Sequence, residues 1–169
     1  MDRNAFAFKQ VIFGVFLALL ALLTGELHGM AFGAKEDAIK QSFKASSEAA
    51  EAALGGPEKV IKAQEDAWKY LKRAHEHFMG LGAVALGLCL FIGLSPVAPW
   101  LKTAASTSAG LGAVLYPLFW TLTAIRAAGM GGHAAKESLA IMAQAGAMFG
   151  LLGILGALII AAQWAFTKE

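Results

Sequence analysis

Arg73-Ala74-His75-Glu76-His77-Phe78-Met79-Gly80 is the stretch on which the reading of this chain turns. Before it lies a long charged segment. After it, from Phe78 to Leu94, runs a series of lipid-grade apolar residues. A transmembrane helix needs about 20 such residues, rising about 1.5 Å each, to cross roughly 30 Å of hydrocarbon. This run is slightly short, and Ala74 on one side and Pro96-Val97-Ala98 on the other extend it.

Three more runs of the same character lie outward from it, at about residues 11–32, 104–130 and 139–166. Only 15% of the 169 residues are charged and 57% are hydrophobic. A soluble domain carries about a quarter charged residues. Nineteen glycines against four prolines suit helices that pack through small residues in lipid. No ten-residue alternating strands are present, so a barrel is excluded as the spanning structure. The first run is preceded by Arg3 and Lys9 and ends near Ala31-Phe32-Gly33, as a signal peptide would. It is longer than the usual apolar stretch of about 7–15 residues and reads as a span. The expected fold is all-α: an integral membrane four-helix bundle in a single multi-pass domain, placed in a bacterial inner membrane. A net charge of +2 gives no case for nucleic acid as a partner. The single cysteine, Cys89, sits in an apolar run and reports nothing on redox compartment.

Between the first two spans, residues 35–76 are rich in Ala, Glu, Lys and Gln, all good helix formers. Apolar residues recur at helical spacing before and after Gly55-Gly56-Pro57, with Ser46 and Ser47 interrupting the first stripe. Glycine past a helix end followed by proline is a stop-and-restart signal. The segment therefore reads as a helical hairpin protruding from the membrane between spans 1 and 2. It is either a brace for the bundle or a docking surface for a redox or membrane-complex partner. Gly29–Glu36 and Gly129–Glu137 resemble each other, a hint that the two halves of the chain are copies.

Four spans put the N-terminus, the loop of residues 95–106 and the C-terminus on one side, and the hairpin and the loop of residues 131–138 on the other. Basic residues crowd the hairpin, but acids match them, and Arg3 and Lys9 pull the opposite way, so charge leaves absolute orientation open. All four histidines fall on the hairpin side. His28 is about a turn from the end of the first span, His75 and His77 open the second, and His133 precedes the fourth. Ionisable residues at membrane depth are functional candidates. Two positions apart on a helix, His75 and His77 point about 200° away from each other and cannot both hold one metal. Imidazoles from different helices suit haem b, with His28 opposite His75 or His77, and His133 or Arg126 serving a propionate. Copper or zinc held by three imidazoles is the competing metal reading, and a proton relay or plain interhelical bonding the others. C-x-x-C-H, the attachment motif of covalent haem, is absent. His75-x-His77 at the start of a span is loosely similar to small haem- or metal-binding membrane subunits of respiratory chains, a likeness carried by those two residues alone.

Glu26 and Arg126, near the same face, are expected to form an ion pair. Gly146, Gly150 and Gly153 give the fourth span a small-residue face, used within the bundle or in a homo-oligomer. Pro117 is expected to kink the third span. Trp68, Tyr70, Trp100 and Trp164 read as interfacial anchors. No phosphate loop or nucleophile elbow is legible. The leading functional expectation is a small redox subunit, b-type cytochrome-like, passing electrons to a quinone or a partner protein. The alternatives are a non-catalytic accessory subunit of a larger membrane complex, and a small transporter using Glu26, Arg126 and the histidines.

Overall fold

A computed structural model describes residues 7–166, which are almost wholly helical. Its elements are α1 (Phe8–Ala49), α2 (Glu51–Leu54), α3 (Pro57–Leu94), α4 (Pro99–Met130), α5 (Gly132–Glu137) and α6 (Ala140–Phe166). Four of them, α1, α3, α4 and α6, are each long and apolar enough to cross a bilayer. Their outer faces carry Phe13, Phe16, Leu23, Val84, Leu151 and Leu158 in the open, as lipid contact requires and water would penalise.

Each helix boundary has a local cause. α1 runs from apolar to charged sequence with one residue out of helical geometry, Lys35 (φ −140°, ψ 24°), just beyond Gly33. The turn into α3 is made by Gly55 and Gly56, both at positive φ (92° and 113°), with Pro57 in the first turn of α3. Proline suits that position because the first N–H groups of a helix have no partner in any case. α3 then continues for 38 residues through the Arg73–Gly80 boundary without a break. Pro117 does not interrupt α4, whose helix carries on through it, and Thr121 donates its hydroxyl to the Pro117 carbonyl.

α1, α3 and α4 pack against one another, while α6 lies on α4 and barely touches α3. Half of the most apolar window of α4 is buried but only 22% of that of α6, so α4 is the central helix and α6 an outer one. The expected four-helix bundle is therefore a three-helix core with a fourth helix laid on one side. α6 runs antiparallel to α4 in close register, with Gly146 over Tyr116, Gly153 over Ala109 and Gly156 over Ala105. A Cβ on Gly146 or Gly153 would stand 2.6 Å from the α4 backbone. The small-residue face of Gly146, Gly150 and Gly153 is thus turned toward α4 within the chain, the first of the two uses expected of it.

The helix ends gather in two groups. The Ala7 amide bonds the Gly93 carbonyl, Lys102 reaches the same carbonyl at 3.2 Å, and Trp164 stacks on Phe91, so chain start, α3–α4 loop and α6 end meet. Arg3, which entered the charge argument, lies outside the described residues. At the opposite end, Gly132 sits against Asp66 and Tyr70 of α3. The charged halves of α1 and α3 do not stand as a two-helix handle. Phe43, Ala67, Tyr70 and Leu71 share one core with Phe119, Trp120, Ala124, Ala127 and Ala128 of α4 and Ala135 of α5. The reason is length: α4 has 32 residues, about 48 Å of helix at the standard rise, and its last turns continue alongside the charged halves. Tyr70, expected at an interface, is core. Ser47, a polar interruption of the apolar stripe in sequence, is fully buried and satisfied by the carbonyls of Phe43 and Lys44.

Thr123 is fully buried on α4, and its hydroxyl has no hydrogen-bond partner among the described residues. An unsatisfied buried hydroxyl costs about 1–3 kcal/mol. Thr123→Val keeps the shape and removes the hydroxyl, and the expected result is a rise in thermal stability. A drop of more than a few degrees would mean that the hydroxyl has a partner after all.

Candidate functional site

Three of the four histidines share a chemical state. His28 Nδ1 lies 2.8 Å from the Thr24 carbonyl, His75 Nδ1 2.8 Å from that of Gly25, and His77 Nδ1 2.7 Å from that of Arg73. A carbonyl only accepts, so Nδ1 carries the proton in each ring and donates it. In the neutral ring Nε2 is then left as an acceptor. The Gly25 bond of His75 crosses from α3 to α1, and the ring also covers Gly29. His28 and His77 instead bond back to their own helices.

The rings do not converge. His28 packs on Phe78 (centroids 5.5 Å) and on Phe32, which His75 meets from α3 at 5.5 Å. His77 turns the other way, onto Tyr116 and Trp120 of α4 at 5.2 and 6.4 Å. The opposed directions of His75 and His77 follow from their two-residue spacing. His133 is remote from all three, in α5 beside Lys59, Lys62 and Asp66. Among the described residues no three His, Cys, Asp or Glu side chains are grouped so as to hold a metal ion. His28 and His75 both pack on the Phe32 ring, and each bonds a carbonyl of α1. A site of three imidazoles for copper or zinc is thus not grouped among the described residues. Arg126 donates from its guanidinium to the Ser138 hydroxyl at 2.9 Å. The expected Glu26–Arg126 pair is absent. Glu26 is exposed, and the ion pairs among the described residues are Lys40–Glu36 and Lys44–Glu48, both along α1.

What the fold builds instead is a cleft. Because α6 rests on α4 without closing onto α3, a space of about 360 Å³ remains between α3 and α6, floored by α4. Leu81, Val84 and Leu88 line one wall, Leu151 and Ile154 the other, and Ala109, Gly112 and Ala113 the floor. At the end nearer the charged halves of α1 and α3 stand His77 and Tyr116, the cleft's polar side chains. The glycines that bring α6 onto α4 also keep the floor low. The volume falls at the small end of the range for ligand sites, and an apolar cavity with a few polar groups is their usual form.

Sequence inspection missed two features of this region. Arg73 lies over the Trp120 ring, 4.5 Å from its centroid, so a cation caps the aromatic group behind His77. Lys102, at the other end of α4, is 94% buried by side-chain packing, its exposure being 6%. Neither has a local sequence signal, since each depends on which helix lies opposite.

No protein-family model matches this chain, and no curated protein or solved structure is similar enough to count as a match.

Proposed function

We propose that this chain is a membrane subunit that holds a lipid-soluble, ring-headed ligand of the quinone class between α3, α4 and α6. The observation that carries the reading is the position of His77. Its Nδ1 proton is committed to the Arg73 carbonyl, so Nε2 is the atom free to accept, at the head of an apolar cleft. A quinol hydroxyl donates to Nε2, the Tyr116 hydroxyl donates to a quinone carbonyl, and the Tyr116 ring offers a face for the head. The tail lies along Leu81, Val84, Leu88 and Ile154. In this reading the charged halves of α1 and α3 stand outside the hydrocarbon, braced by α4 and α5, and present the chain to a larger redox complex. The chain's own part is binding and placement of the ligand, and electron transfer belongs to the partner.

The test is a titration of a decyl-tailed benzoquinone into protein in nanodiscs made of one neutral lipid. Wild type is expected to bind saturably, and His77→Leu to bind about tenfold more weakly, the loss of one hydrogen bond of about 1.5 kcal/mol. Ala147 is exposed at the cleft rim, and Ala147→Phe fills the cleft from outside. That variant is expected to abolish binding while melting as wild type does. Equal affinity in all three proteins would overturn the proposal.

A second reading, a scaffold subunit without a ligand, is favoured by the bracing of the charged halves along a shared core. It predicts no saturable binding in the same titration.

A further inference from the structure

A second cleft lies at the far end of the molecule, independent of the first. α4 ends at Gly131, whose φ of 82° turns the chain into α5. That turn lays α5 against α3. A side chain at Gly132 would collide with the Asp66 carboxylate and stand 2.8 Å from the Tyr70 hydroxyl. Between the start of α3, the end of α2 and this turn is a concave space of about 500 Å³.

Its lining is charged. Lys59, Lys62, Asp66 and Tyr70 lie at intervals of three and four along one face of α3. His133 and Lys136 face them from α5. Three lysines and a histidine thus surround a single carboxylate. The two ion pairs among the described residues are elsewhere, on α1, so Lys59 and Lys62 are not matched by acids within ion-pair distance. Lys136 is directed over the Tyr70 ring at 5.9 Å, which places its charge inside the cleft. Asp66 is drawn down against Gly132 at the floor. Like charges gathered in a concavity focus their field there and favour an anion.

We infer that this cleft binds a soluble, multiply charged phosphate compound, with Lys59, Lys62 and Lys136 as its direct contacts and His133 at the rim. The volume suits a small molecule. Lys62 lies 15 residues along α3 from His77, about 22 Å of helix. That distance keeps the cleft beyond the headgroups of the bilayer the spans occupy, which is why the phosphate is assigned to a soluble compound.

Pyrophosphate, titrated calorimetrically into the full chain in neutral-lipid nanodiscs, is the probe. Saturable binding at physiological salt is expected. Lys59→Gln combined with Lys62→Gln is expected to weaken it at least tenfold. Asp66→Asn, which keeps the shape of the floor and removes the opposing charge, is expected to tighten it several-fold. Affinity unchanged in both variants, or no saturable heat from wild type, would overturn the assignment. Nanodiscs containing an anionic phospholipid separate the two sources of phosphate. Unchanged pyrophosphate affinity there is expected, whereas competition by the lipid would overturn the soluble-ligand assignment.

Discussion

Gly153→Leu is expected to destabilise the purified protein by about 3 kcal/mol, a fall of roughly 6–12 °C in melting temperature for a chain of this size. A Cβ at Gly153 meets the Ala109 backbone at 2.6 Å and its side chain at 2.8 Å. Backbone cannot step aside as a flexible side chain can, so α6 must lift away from α4. α6 has little else to hold it, since its contacts with α3 are slight. Without a hydrophobic drive between helices in lipid, close packing is what keeps two helices together. Gly87→Leu is the control, because nothing stands within 4 Å of a Cβ there. That change is expected to be neutral in the same melt. If Gly153→Leu melts like Gly87→Leu, α6 does not lie on α4 as described.

Trp120→Ala is expected to cost about 3–5 kcal/mol, read as loss of helicity at lower temperature in detergent. Trp120 joins the charged halves of α1 and α3 to α4. Its ring meets Phe119 at 4.8 Å and Tyr70 at 5.3 Å, and Arg73 lies on it at 4.5 Å. Truncation removes all of these at once and opens a cavity at the junction of three helices. Trp120→Phe retains a ring for them. It also removes the indole N–H, which is buried without a partner among the described residues. That variant is expected to recover most of the loss. A melt for Trp120→Ala within 2 °C of wild type would show that the charged halves do not depend on this core.

The spans were legible because lipid imposes one rule on twenty consecutive residues, and the run from Phe78 obeys it without reference to any other part of the chain. The turn at Gly55-Gly56-Pro57 was legible for the same reason: its signal is local and its backbone angles follow from residue type. The placement of α4 was not. Residues 119–128 are apolar enough to be read as span, and only length against the bilayer hints that they run on beside Tyr70 and Leu71. The histidines show the limit most clearly. Counting spans put His28, His75 and His77 toward one end, where they are. Whether rings at similar height face one another depends on helix rotation, which spacing fixes only within a helix. Thus the divergence of His75 and His77 followed from their numbers, whereas the pairing of His77 with Tyr116 did not. The cleft beside them exists because α6 leaves α3 uncovered, and that is a property of α6's glycines and α4's small residues together.

Photolabelling tests the ligand cleft most directly. A decyl-tailed azidobenzoquinone, irradiated with the protein in neutral-lipid nanodiscs and mapped by peptide mass, is predicted to modify residues 81–88 of α3 and 147–154 of α6. Excess unlabelled quinone should suppress that labelling. Label spread equally over the outer face of α1, at Phe13, Phe16 and Leu23, and insensitive to competitor, would contradict a quinone-class site between α3, α4 and α6.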